Sequence, residues 1–152
     1  MTEQAILIHA SADSVFKLVA DPMRMAEWSP ECVRCRWIGT VQRAEVGARF
    51  RGTSRNGRRR WTTTSAIAEV RAGELFAWEV SYFRQPVARW EYRLETQADG
   101  VRLVESVEDR RGPLLRALSP LITGSPDRAK RNADTMASTL EAVKATAERR
   151  PR

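Results

Sequence analysis

Glu105 is the residue in this chain whose placement most suggests chemistry. Along residues 101–108 the strand alternation sets Val101, Leu103, Glu105 and Val107 on one face and Arg102 and Glu108 on the other. The first face is apolar, so Glu105 is expected to point inward. A buried carboxylate must be paired or protonated. It can then orient a ligand or act as a general acid or base. The plainer alternative, an ion pair with an inward arginine or a bulge that turns the side chain out, is the favoured expectation. Tyr92, Tyr82 and Ser65 could add hydroxyls beside it. Of these, Glu105 and Tyr92 are the catalytic candidates. No Ser-His-Asp pattern accompanies them, and His9 is the lone histidine.

Two cysteines form Cys32-Val33-Arg34-Cys35, a C-x-x-C. Redox chemistry would want the first of them at a helix N-terminus. Here the motif opens a strand, where residues three apart face opposite ways. A zinc site would want a second ligand pair. Two free thiols, with no metal and no cofactor, are therefore expected. Asn56-Gly57-Arg58-Arg59-Arg60 is a basic hairpin tip that could touch phosphates. Without a recognition-helix pattern it reads as a solvated turn. The net charge of +7 is carried by arginines spread along the whole chain, so it reads as solvated surface and nucleic acid is not expected as a partner.

These residues need elements to hold them. Residues 3–9 read as a strand. Ser11 caps a short helix at 12–20, Asp21-Pro22 ends it, and residues 22–28 form a second. Alternating strands come next at 33–40, 48–55, 59–70, 74–82, 87–96 and 101–108, separated by turn signals such as Asn56-Gly57 and Asp99-Gly100. Each strand has one apolar and one charged face, the mark of an antiparallel sheet covered on one side. Residues 113–122 are a short apolar helix, which Pro120 and Gly124-Ser125-Pro126 should kink or break from the last helix. Residues 125–149 form that last helix, long and amphipathic, with Ser125 as N-cap and Pro126 first. Its stripe of Ala129, Ala133, Met136, Leu140, Val143 and Ala147 must lie on the sheet, with Arg128 and Arg131 on the opposite side. One domain at 1–149 with a frayed tail at 150–152 is expected. Residues 1–9 lack the pattern of a signal peptide and no stretch is long and apolar enough to span a membrane, which predicts a cytoplasmic protein.

Because the small end of the stripe, Ala129 and Ala133, cannot fill a concave sheet, a cavity is expected there. Its candidate ligand contacts are Trp37, Phe50, Trp61, Phe76, Trp78, Trp90, Tyr92, Leu103, Glu105, Ala133, Met136 and Leu140. The plain alternative is that these side chains only fill the core. Five tryptophans, each wanting a partner for its N–H, favour an interior that is partly polar.

This order of elements resembles the START-like helix-grip (SRPBCC) superfamily, and most of all its bacterial polyketide cyclase/dehydrase-like branch. The resemblance covers essentially the whole chain. It rests on residues 8–16 (Ile-His-Ala-Ser-Ala-Asp-Ser-Val-Phe), Asp21-Pro22, Trp28-Ser29-Pro30, Gly47-Ala48-Arg49-Phe50 and residues 99–103. It implies an α+β fold in which a curved seven-stranded antiparallel sheet wraps a long C-terminal helix, with two short helices after the first strand. It also implies an apolar cavity for a lipid- or polyketide-like molecule. The family offers no invariant catalytic set to carry over. The expected function is hydrophobic ligand binding, with a cyclase or dehydratase acting on a polyketide-like substrate as the alternative.

Overall fold

A computed structural model describes residues 1–149; the expected tail at 150–152 lies outside the described residues. Seven strands, β1 (Thr2–Ile8), β2 (Cys32–Ile38), β3 (Arg49–Asn56), β4 (Arg59–Arg71), β5 (Leu75–Tyr82), β6 (Gln85–Gln97) and β7 (Gly100–Asp109), form one antiparallel sheet. Their order is β1-β7-β6-β5-β4-β3-β2, a meander closed at one edge by the first strand. Between β1 and β2 come α1 (Ala12–Val19), a 3-10 turn (Pro22–Arg24) and α2 (Met25–Trp28). After β7 come α3 (Pro113–Thr123) and α4 (Arg128–Arg149). This is the helix-grip architecture expected from the sequence.

Local signals place the short helices. The Ser11 hydroxyl accepts from the Ser14 N–H at 3.1 Å, and Asp21 Oδ1 accepts from the Met23 N–H at 3.1 Å. Each satisfies a donor that the first turn leaves free. Neither helix would persist alone at this length; burial of Val15, Leu18, Val19 and Trp28 holds them. Seven strands at ~4.8 Å spacing span about 29 Å, whereas a helix with its side chains is about 10–12 Å wide. The sheet can grip α4 only by curving. Accordingly α4 packs on the edge strand β1, and also on α2, which itself covers the opposite edge strand β2.

On the concave face Phe50, Trp78, Tyr92, Leu94 and Leu103 meet Leu140, Val143 and Ala147 of α4 and the apolar side of α1. The convex face carries rows of charge in register. Arg89 lies between Glu69 and Glu79, and Arg102 pairs with Glu95. Such exposed pairs mainly keep this face soluble.

Three local expectations are corrected. First, α4 begins at Arg128, and its cap is Asp127 rather than Ser125. Asp127 Oδ1 accepts from the Lys130 N–H at 3.1 Å, while the Ser125 hydroxyl is spent on the Asp127 carbonyl at 3.2 Å. A carboxylate suits the positive helix end better than a hydroxyl. Arg128 and Arg131 do not face solvent on the far side, because both turn onto Glu31. Second, Pro120 does not break α3, which runs through it; the break falls, as expected, at Gly124, whose φ of 71° provides the left-handed stop.

Third, the basic hairpin is only partly a solvated turn. Asn56 Nδ2 donates to the Thr123 carbonyl at 2.9 Å, and Arg59 donates to the Leu121 carbonyl. Both are carbonyls of the last turn of α3, which have no partner within the helix. The hairpin therefore caps α3, whereas Arg58 and Arg60 are exposed. Gln at both Arg58 and Arg60 should leave the melting temperature within a degree or two of wild type. Asn56→Ala should lower stability by about 0.5–1.5 kcal/mol in urea denaturation.

Candidate ligand-binding site

The curved sheet and the N-terminal half of α4 do not close on each other. Between them lies a cavity of about 330 Å³. Its floor is aromatic. Trp78 and Trp90, opposed in register on β5 and β6, stack at 6.3 Å with an interplanar angle of 10°. Tyr92 lies 5.5 Å from Trp78, and Phe50 and Trp61 extend the apolar wall over β3 and β4. Met25 and Trp28 of α2 close one side, and Ser119 and Thr123 of α3 another.

The expected contacts divide. Phe50, Trp61, Trp78, Trp90, Tyr92, Glu105 and Met136 line the cavity; Trp37, Phe76, Leu103, Ala133 and Leu140 do not. Phe76, Leu103 and Leu140 are simply core, each at most 2% exposed. On α4 the cavity face runs through Ala129, Asn132, Thr135, Met136 and Thr139 rather than through Ala133. Reading threonine as polar hides this face in the sequence. Thr135 Oγ1 donates to the Asn132 carbonyl at 3.0 Å and Thr139 Oγ1 to the Thr135 carbonyl at 2.8 Å. With the hydroxyl protons spent on the helix backbone, both side chains suit a half-apolar wall. Their spacing on the helix was the available signal.

Glu105 is buried at 4% exposure and lines the cavity. The favoured expectation of an ion pair is corrected: among the described residues no arginine or lysine reaches it, and its Oε1 has no hydrogen-bond partner. No bulge turns it out either, because the β6–β7 register is unbroken and pairs it directly with Tyr92. Burial pushes its pKa up to about 8, and the neighbouring Tyr92 hydroxyl opposes the rise. Burial and the neighbouring carboxyl likewise push the Tyr92 phenol upward. At neutral pH the pair is therefore mostly a carboxylic acid beside a phenol, two proton donors in an aromatic pocket.

The cysteines also defy their expected geometry. A bulge between Cys32 and Arg34 interrupts the β2–β3 register and turns both sulfurs to the concave face, where they line the cavity. The thiols are free and their Sγ atoms lie 3.7 Å apart, well beyond the ~2.05 Å of a disulfide. Hydrogen bonding from Cys35 stabilises the Cys32 thiolate and lowers its pKa, and the same contact together with burial pushes Cys35 far up. Iodoacetamide at pH 7.5 should therefore modify Cys32 well before Cys35, as read by peptide mass mapping. Equal rates would contradict this polarity. Among the described residues no group of three or more His, Cys, Asp or Glu side chains is placed to hold a metal ion.

At the cavity wall near α3 and α4, Arg128 is held by three residues. Its Nε donates to Asn132 Oδ1 at 3.1 Å, an Nη donates to Glu31, and its guanidinium lies over the Trp61 ring, 5.9 Å from the centroid. Glu31 also accepts from Arg131 Nε at 3.3 Å. The Glu31–Arg128 contact spans 97 residues of sequence, and nothing local could have announced it.

A sheet-and-helix grip around an aromatic cavity defines a helix-grip ligand-binding protein. The chain belongs to the family described as polyketide cyclase / dehydrase and lipid transport, whose model matches residues 2–148. No curated protein matches it in sequence. Among solved structures, the di-domain aromatase/cyclase StfQ from the steffimycin biosynthetic pathway has a TM-score of 0.75 at 14% identity, covering 97% of this chain and 50% of that one. The chain thus spans half the length of that di-domain protein. The Zhui aromatase/cyclase from a Streptomyces species gives 0.68 at 21% identity, covering 99% and 94%. A polyketide-cyclase-like protein of Corynebacterium glutamicum gives 0.60 at 28% identity, covering 97% and 90%. Among the described residues no helix is long and apolar enough to cross a membrane.

Proposed function

We propose that this protein binds a hydrophobic or aromatic small molecule in the cavity between the sheet and α4. The observation that carries this reading is the cavity itself, about 330 Å³ of space against stacked tryptophans. That volume falls at the lower end of the ~300–1,000 Å³ typical of small-molecule sites. Phe50, Trp61, Trp78, Trp90, Tyr92, Glu105 and Met136 are the contacts we assign. Membership of a family described by polyketide cyclisation, dehydration and lipid transport supports the same reading. No nucleic acid is expected as a partner.

Native mass spectrometry of freshly purified protein should reveal a co-purified apolar molecule, and Nile red should bind with enhanced fluorescence. Thr135→Phe, which extends a ring from the helix into the cavity, should weaken Nile red at least tenfold. Wild-type protein that binds no apolar probe and carries no ligand would remove the reading.

A second reading, a cyclase or dehydratase acting on a polyketide-like substrate, is favoured by one specific observation: the buried Glu105 carboxyl, its Oε1 unpartnered, opposite Tyr92. A buried carboxylic acid with a pKa near 8 can protonate a ketone oxygen as an enol carbon attacks its carbonyl carbon, and the resulting carboxylate regains a proton from the enol hydroxyl as that becomes a carbonyl. Turnover of a poly-β-ketone, followed by mass spectrometry and lost in Glu105→Gln, would establish it. Binding without turnover would leave the binder.

A further inference from the structure

Among the described residues, two buried side-chain polar atoms have no hydrogen-bond partner: Glu105 Oε1 and Arg128 Nη1. Both residues line the same cavity. Buried polar groups are nearly always satisfied, and an exception calls for an explanation. A shared explanation is a molecule that completes both.

The two residues differ in chemistry. Glu105 stands on β7 with Tyr92 opposite, and can donate to or accept from an oxygen. Arg128 stands on α4 and can only donate. Two of its three nitrogens are already committed, to Asn132 and Glu31, and Trp61 covers its face. The guanidinium is thus held in one orientation with one nitrogen free.

The charge balance along the wall is also incomplete. Glu31 is one carboxylate between two guanidiniums, Arg128 and Arg131. A second cluster repeats the ratio: Asp109 pairs with Arg111 at 2.8 Å and with Arg116 at 3.9 Å, and Asp109 and Arg111 line the cavity too. Each cluster has one positive charge in excess. The remaining acid on the wall, Glu105, does not offset them at pH 7, because it is largely protonated there.

We propose that the cavity takes a carboxylic acid: an apolar or aromatic body whose carboxylate is held by Arg128 beside Trp61, and which also presents a hydroxyl or carbonyl oxygen to Glu105. This rests on the ligand-binding reading above and adds the polarity of the ligand to it. A single negative charge fits because the Glu31 cluster lacks one. Guanidinium–carboxylate hydrogen bonds are the stronger, charge-assisted kind, and they gain further where water is excluded.

The test uses three matched probes that displace Nile red from the full-length protein at pH 7: 6-hydroxy-2-naphthoic acid, its methyl ester, and 2-naphthoic acid. The hydroxy acid should bind at least tenfold tighter than its ester, and about threefold tighter than the acid lacking the hydroxyl. Arg128→Gln should erase the acid-over-ester preference by weakening the acid and not the ester. Glu105→Leu should erase the preference for the hydroxyl. If Arg128→Gln fails to fold, Arg128→Lys carries the test: it keeps the charge but loses the fork, and the acid preference must fall at least threefold. An acid that binds no tighter than its ester, or a preference that survives the Arg128 variants, overturns the proposal while ester binding leaves the cavity reading standing. A wild-type protein that binds Nile red and none of the three also overturns it. If nothing binds, Nile red included, the reading beneath it fails as well.

Discussion

Glu105→Gln should make the protein more stable than wild type at pH 9, by about 2–4 kcal/mol, and no more stable at pH 5. The carboxyl titrates at about 8 in the folded state against an ordinary value of 4.5, and burial is the main cause. Between those values the folded chain keeps a proton that the unfolded chain releases. Wild-type stability therefore falls as pH rises, by about 1.4 kcal/mol per unit across the window. Below 4.5 the group has no effect, and above 8 the penalty is complete. The full window would correspond to about 5 kcal/mol; water entering the cavity reduces it. Glutamine keeps the volume and cannot ionise, so the slope disappears. Its amide still needs partners, at a cost of about 1–3 kcal/mol if they are missing, which is why no gain is expected at pH 5. Urea denaturation of both proteins at pH 5, 7 and 9 reads the difference, and the titrating groups that Glu105 does not perturb cancel. Parallel pH profiles would mean that Glu105 is solvated and ionised throughout. The acid that the cyclase or dehydratase reading uses would then be gone.

Leu140→Ala should cost about 2–5 kcal/mol, as buried leucine truncations do. Leu140 is 2% exposed and packs within the main core, below the cavity and outside its lining. For a chain of this size the loss corresponds to a fall of about 6–15 °C in melting temperature. Glu141→Ala, one residue on and exposed, should change stability by no more than about 0.5 kcal/mol. The contrast with Thr135→Phe matters most. The Leu140 change should lower stability and leave probe affinity intact at temperatures where the variant is folded. The Thr135 change should do the reverse. A Leu140→Ala protein that loses probe binding while fully folded would mean that α4 has no division between an anchoring half and a cavity half.

That division illustrates how far the chain could be read without its fold. The stripe of apolar residues fixed α4 as a helix lying on a sheet, and Leu140, Val143 and Ala147 anchor it as expected. The cavity half lies one step round the helix, on Thr135 and Thr139. Residue polarity misleads there, because a threonine hydroxyl bonded to its own helix backbone no longer competes for water.

The sequence alone determined what depends on near neighbours. Alternation along β5, β6 and β7 assigned Trp78, Trp90, Tyr92 and Glu105 to the inner face, because side chains on a strand alternate by geometry. Turn residues such as Asn56-Gly57 placed the hairpins, because only certain residues tolerate positive φ. Tertiary structure alone decided what depends on distant partners. It denied Glu105 a cation and thereby kept its proton. A bulge, which no single-residue preference marks, brought Cys32 and Cys35 to one face. Arg128 and Glu31 met across 97 residues, and the hairpin arginine Arg59 found a helix end to cap. Charges far apart in a chain leave no periodic trace, and burial, which sets their energies, exists only once the sheet has curved around its helix.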